Sequence, residues 1–530
     1  MPSQVFLVGI ALSVAILIGR LLSRRLGIPE AAAYVLVGIV VGLLPGFGQV
    51  RLSPEIVLLV FLPPLVYYAA FFSDLREAVE HIVPVIGQSV GLVLVSAGAA
   101  AAAVMAVFPD VGWAAALAFG AAIAPPDPVA ATSVLQRLGV PRRLVTVLEG
   151  EGLVNDGVAL TLFAIAVSNV GRTPGPGEMV LQVVIEVVGG VVFGLLVGMT
   201  VMWVRAHTAD SPSQVVISLV TPYLAFIPAH LMHASGILAT VVAAAWLGTR
   251  GRGLVTPTSR METETFWRVL NLVLVALLFV LLGLQVPGII AVVRGYSIGT
   301  LLAVSAAVVL VVVVVRIVWA AFVPPLVARL PIRHSNAPAM SRRERLVLGW
   351  CGPRGAVSLA VALSIPLTGA AGLPFPRREL LLFLTIVVVL ATLVGQVLPL
   401  PVLVRRLRLT PSEDERTEGL RARRTAVDAA LCELDDISGG REHPEPAVDA
   451  LRQVMQLRRE RLMREVEALA DGDDEAADEH LDERRLWLRL LEIERRSLRR
   501  LHDEGEIGSR TLVEVSQELD LDETRLRQAT

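Results

Sequence analysis

The chain contains no lysine, and only two of its 530 residues are cysteine, Cys351 and Cys432. Arginine therefore carries all of the fixed positive charge. A disulfide framework is excluded as a source of stability, because one cysteine falls in an apolar run and the other in a charged one. No metal-ligand spacing, phosphate-cradling glycine loop or hydrolytic triad stands out, so an enzyme, a cofactor site and a nucleic-acid partner have no support. The N-terminus lacks the basic flank and small-residue cleavage site of a secretory leader, and its first apolar run is expected to remain as a membrane helix. What is abundant is apolar surface: 54% of the residues are hydrophobic and mean hydropathy is +0.66, more apolar than a soluble domain of this size.

The net charge of −2 averages two unlike regions. Residues 1–410 hold 27 arginines and 17 acids, whereas residues 411–530 hold 20 and 32. A helix needs roughly 20 apolar residues to cross a bilayer. Thirteen candidate spans follow: 4–23, 30–46, 54–72, 82–108, 111–136, 143–169, 179–205, 213–232, 236–249, 265–292, 297–323, 344–370 and 378–405. Loop arginines set the orientation. With the N-terminus outside, 20 arginines fall on the cytoplasmic side and five, Arg51, Arg172, Arg294, Arg377 and Arg378, on the outer side. The expected fold is an all-α polytopic membrane protein with a membrane domain over 1–408 and a cytoplasmic helical tail over 409–530. In the tail, LRQVMQLRRERLMREVEAL and RRLWLRLLEIERRSLRRL have helical spacing and mixed charge, which predicts a small hairpin or coiled-coil unit.

Several carboxylates lie inside the apolar runs, where each costs about 2.5–3.5 kcal/mol on insertion scales. The fifth span contains Pro125-Pro126-Asp127-Pro128. Prolines at this density break a helix, and backbone freed at membrane depth is tolerated only within protein or beside a watery cavity. Asp127 either neutralises the N-terminal end of the half-helix that follows or contacts an ion directly. The sixth span contains Glu149, Glu151, Gly152, Asn155, Asp156 and Gly157. Glu151 and Asn155 are i,i+4 neighbours on one face, and Glu149 and Asp156 stack on an adjacent one. Such an oxygen-rich cluster suits a small hard monovalent cation, and the same carboxylate can take a proton. The twelfth span contains Trp350-Cys-Gly-Pro-Arg354-Gly355-Ala-Val-Ser358, a second Gly/Pro-interrupted helix in the other half of the chain. Paired interruptions of this kind point to a transporter's site. A buried arginine needs an anionic partner. Glu151 is the preferred partner for Arg354, with Glu149 and Asp127 as alternatives. Arg316, toward the cytoplasmic end of its span, is expected to snorkel. In FLPPLVYYAAFF of the third span, two prolines kink the helix beside Tyr67 and Tyr68.

FLPPLVYYAA, APPDPVAATSVL, LEGEGLVNDGVAL and CGPRGAVSLAVAL occur in that order over residues 1–408. Together they resemble the bacterial sodium/proton antiporters of the monovalent cation:proton antiporter family, the branch that includes the animal sodium/proton exchangers. The resemblance implies inverted repeats with two crossing broken helices, a homodimer in the plasma membrane, and exchange of Na⁺ (or Li⁺ or K⁺) for H⁺ in pH and cation homeostasis. It implies that Asp156 binds cation and proton in turn, that Asn155 marks electroneutral 1:1 exchange, that Glu151 and Arg354 form a structural ion pair, and that Asp127 belongs to the unwound fifth helix. Three positions depart from the family pattern. Gly152 replaces a ligating serine. Pro126 replaces a threonine, although its backbone carbonyl is retained. Tyr68 stands where some members carry a glutamate. Two rival functions are a cation channel or uniporter on the same scaffold and a membrane sensor whose tail binds a partner.

Overall fold

The computed structural model describes residues 2–44, 53–72, 82–208, 210–251, 253–327, 340–369, 372–409, 413–439, 445–471, 474–504, 506 and 509–528. Arg51, the ends of the expected spans at 45–46 and 370, and the tail residues Gly440, Gly472 and Asp473 lie outside them. The chain divides into two compact units, Met1–Thr410 and Pro411–Thr530.

The first unit is built from α1 (Pro2–Leu26), α2 (Glu30–Gly42), α3 (Pro54–Phe72), α4 (Ile82–Val107), α5 (Trp113–Ile123), α6 (Pro128–Arg137), α7 (Arg142–Ser168) and α8 (Pro176–Ala206). It continues with α9 (Ser211–Leu231), α10 (Gly236–Arg250), α11 (Pro257–Val293), α12 (Ile298–Val327), α13 (Arg342–Trp350), α14 (Ala356–Leu363), α15 (Arg378–Val397) and α16 (Leu400–Leu407). Among the described residues, eight helical stretches are long and apolar enough to cross a membrane, and α2, α5 and α10 are shorter apolar helices. The expected fifth and twelfth spans are each cut in two, as α5–α6 and α13–α14, at the proline and glycine clusters. An isolated bridge between Thr368 and Pro374 is the one extended pairing in the described residues.

Local chemistry places the helix ends. Asp210, Ser235, Thr256 and Ser341 each accept the backbone N–H three residues on, and at Ser341 the Glu344 side chain returns the bond to close a capping box. In α3, Pro63 and Pro64 remove the N–H groups that Leu59 and Val60 would bond. The helix runs through a π turn at Val57–Phe61 instead of stopping.

Without a hydrophobic drive between helices in lipid, close packing depends on small residues. Gly38 of α2 and Gly283 of α11 meet backbone to backbone, and a Cβ on Gly283 would come within 2.7 Å of the Gly38 Cα. Gly189, Gly190, Gly194 and Gly198 form a stripe on α8 that receives α10. Where α4 ends and α12 and α15 begin, Arg377 (φ 45°) bonds the Asp110 carboxylate and the Tyr296 hydroxyl (2.7 Å), with its guanidinium 4.9 Å from the Phe108 ring centre. The guanidinium holds the Asp110 carboxyl below its ordinary range.

The second unit comprises α17 (Glu413–Gly439), α18 (Glu445–Asp471), α19 (Asp474–Asp503) and α20 (Ser509–Gln528). Two helix pairs form, α17 with α18 and α19 with α20, where one hairpin or coiled coil was expected. Arg459 of α18 bonds Asp428 of α17 at 2.6 Å, and Arg495 of α19 is bracketed by Asp520 and Glu523 of α20. Such exposed pairs contribute about 0–1 kcal/mol each. Val427, Val448, Leu462, Leu491 and Leu519 supply the buried contacts.

Candidate ion site at the crossing of two broken helices

The two breaks meet and complete each other. Pro128 has no N–H for the Ala124 carbonyl, which ends α5 with unpaired acceptors. The Asp127 N–H, which a continuous helix would give to Ile123, instead donates to the Pro353 carbonyl at 2.7 Å. Arg354 supplies the missing donors. Its Nε donates to Ile123 O at 2.7 Å, one terminal nitrogen donates to Ala124 O at 3.0 Å, and the other donates to Gly352 O. Its own N–H is anchored on Thr392 Oγ1 of α15 at 3.0 Å. The guanidinium is 1% exposed, and it sits where the dipole of α5 is negative.

The reciprocal charge is Asp127. Its carboxylate packs directly on Gly355, the N-cap of α14, so closely that any Cβ there would overlap it. Asp127 begins α6 in the chain but lies at the positive end of a helix in the other break. Ser358 of α14 reaches the Pro125 carbonyl at 3.5 Å. Pro126 is buried within the same break.

The expected Glu151–Arg354 ion pair is replaced by another. Glu151 receives both terminal nitrogens of Arg316 in a bidentate pair, at 3.0 Å and 3.2 Å. Arg316 does not snorkel; it is 2% exposed. The physical reason is that Arg354 is already satisfied by carbonyls of the broken helices, while Arg316, embedded in a run of valines on α12, meets its acid across from α7. Both arginines lie against Gly352, where a Cβ would clash with Arg316. Arg316 and Thr392 were therefore the site residues that sequence reasoning missed. A charged residue inside VVVVVRIV was the available signal for the first, and Thr392 had none.

One turn beyond Glu151, Asn155 is fully buried, and neither its amide nitrogen nor its amide oxygen has a hydrogen-bond partner. A buried amide without partners is costly, and the position next to it is Asp156. Asp156 on α7 and Asp127 at the start of α6 are carried by helices that pack against each other. Gly152 is buried and adds no side-chain oxygen, and Glu149 is half-buried on the same helix. Tyr68 packs on Phe72 at 5.0 Å between ring centres, as part of the aromatic cluster of α3. The assembly brings together two carboxylates, an unsatisfied amide and unwound backbone inside an apolar bundle, which is a chemistry suited to a dehydrated monovalent cation.

Comparison with known proteins agrees with this geometry. The family model described as "Sodium/hydrogen exchanger, transmembrane" matches residues 11–406. A Na⁺/H⁺ exchanger of Mycobacterium tuberculosis is 34% identical over 533 residues, covering 98% of this chain and 95% of that protein. The Na⁺/H⁺ antiporter NhaP of Pseudomonas aeruginosa is 31% identical over 364 residues, covering 67% and 81%. The solved structure of the sodium proton antiporter MjNhaP1 from Methanocaldococcus jannaschii superimposes with a TM-score of 0.59 at 18% identity, over 76% of this chain and 98% of that one. With the family model spanning most of the chain and the crossed broken helices in place, the protein is a multi-pass membrane protein that belongs to the sodium/hydrogen exchanger family.

Proposed function

We propose that this protein is a secondary antiporter that exchanges a monovalent cation, Na⁺ with Li⁺ or K⁺ as alternatives, for a proton, and that Asp156 is the exchanging group. The observation that carries the reading is the buried, unpartnered Asn155 amide beside Asp156 on α7, a helix that packs on both halves of the broken fifth span. A cation held by Asp156 gives the Asn155 oxygen an electropositive partner; a proton on Asp156 removes the need for that cation. Asp127 is the second carboxylate, but its charge is engaged by the N-terminus of α14. One exchanging acid beside a neutral amide supports electroneutral 1:1 exchange. The Pro126 carbonyl is the further oxygen we assign to the ion shell, and Glu151 with Arg316 braces α7 behind it.

We place the protein in the plasma membrane with thirteen spans, the N-terminus outside and the second unit in the cytoplasm, on the arginine bias of the loops. The homodimer rests on the family resemblance, and we offer the exposed apolar face of α8 as its surface.

The test is cation-driven proton movement in proteoliposomes with Na⁺, Li⁺ and K⁺ in turn. Exchange is expected with at least one cation and is expected to be lost in Asp156→Asn. Proton movement independent of every cation sinks the proposal. An initial rate that follows an imposed membrane potential sinks the 1:1 stoichiometry alone.

A further inference from the structure

Behind the Glu151–Arg316 pair lies a cavity of about 30 Å³ between α4, α7, α12 and α13. Its polar lining is Ser89, Glu151, Arg316 and Trp319, and the remainder is apolar. Three of these groups carry a buried polar atom with no hydrogen-bond partner in the protein: Ser89 Oγ, Trp319 Nε1 and Arg316 Nε. Ser89 is 1% exposed and Arg316 2%. All three residues line this one cavity, and buried polar groups are almost always bonded, which marks it as a candidate ligand site.

The donor and acceptor pattern identifies the ligand class. Trp319 Nε1–H and Arg316 Nε–H can only donate, the Glu151 carboxylate can only accept, and the Ser89 hydroxyl can do either. A ligand that accepts twice and donates twice satisfies all four groups. Chloride would accept from three but face the Glu151 carboxylate, and Na⁺ would face the Trp319 N–H and the Arg316 guanidinium. The space exceeds the roughly 10–15 Å³ a water molecule needs. We infer that this cavity binds one structural water molecule, accepting from Trp319 and Arg316 and donating to Ser89 and Glu151. The water bonds Nε, the one Arg316 nitrogen that the ion pair leaves without a partner, and so completes the support of the helix that carries Asn155 and Asp156.

The test uses the full-length protein in lipid nanodiscs. A density map that resolves ordered water is expected to contain one peak within about 2.6–3.2 Å of all four atoms. No peak, or a peak lost when gluconate replaces chloride, overturns the inference. Hydroxyl-radical footprinting read by mass spectrometry is the second measurement. Trp319, half-buried with its Nε1 enclosed, is expected to oxidise several-fold less in Ser89→Leu, whose side chain fills the cavity, and to an intermediate degree in Ser89→Ala, which removes one acceptor. Equal Trp319 oxidation in the wild type and Ser89→Ala overturns the assignment even if Ser89→Leu does not fold.

Discussion

Which arginine holds Glu151 is measurable by a double-mutant cycle. The Arg316–Glu151 pair is bidentate at 3.0 Å and 3.2 Å, and the arginine is 2% exposed. With charge centres about 4 Å apart and an effective dielectric near 20, the attraction is about 4 kcal/mol. Desolvation of both ions offsets much of this, but removing one partner leaves the other charged and buried, at a cost of about 3–5 kcal/mol. Glu151→Gln and Arg316→Gln are each expected to lower the thermal unfolding midpoint of the detergent-solubilised protein. The double substitution is expected to cost less than the sum by about 1–3 kcal/mol. The parallel cycle of Glu151→Gln with Arg354→Gln is expected to show a smaller coupling than the Arg316 cycle, because Arg354 donates to carbonyls and shares no hydrogen bond with Glu151. Strong coupling of Glu151 to Arg354 with additivity at Arg316 would refute the assignment.

Arg354→Lys is expected to lose most exchange activity while keeping the charge, since one ammonium cannot reach the carbonyls of Ile123, Ala124 and Gly352 together; wild-type rates in a proton-flux assay would contradict this. Gly355→Ala is expected to abolish exchange by displacing the Asp127 carboxylate from the start of α14, whereas Gly253→Ala, where an added Cβ meets nothing within 4 Å, is expected to be neutral in the same assay. Asp110→Asn is expected to lower the unfolding midpoint at pH 7. Because Arg377 depresses the folded-state pKa of Asp110, its contribution is present above the ordinary value near 4 and lost as pH falls through the lower folded value. The midpoints of wild type and variant are therefore expected to converge in strong acid.

The two helix breaks were legible because their signals are local. Three prolines around Asp127, a Gly-Pro pair before Arg354 and carboxylates in an apolar helix each stand out within ten residues. The pairing across the bundle was not. Arg316 and Arg354 are both buried, both near Gly352, and separated from Glu151 by comparable lengths of chain. The rule that a buried arginine needs an anion favoured the wrong one, because carbonyls at a helix break serve a guanidinium equally well. Asp127 illustrates the same limit. Its place before α6 is written in the chain, but its contact with Gly355 depends on how the two breaks cross. In the second unit, helical periodicity identified the helices, whereas weakly apolar faces left open whether they form one pair or two.

The mutual completion of the breaks has a consequence for biogenesis. The carbonyls of Ile123 and Ala124 receive their donors from a residue about 230 positions later in the chain. At roughly 5–20 residues per second, a ribosome reaches that residue some 10–50 s after making the first break. Throughout that interval the nascent protein carries unsatisfied backbone in or beside the bilayer, with Asp127 lacking the helix end that will receive its charge. Chains truncated before Arg354 are therefore expected to be degraded faster than chains that include α13–α14, a difference that pulse-chase labelling would measure.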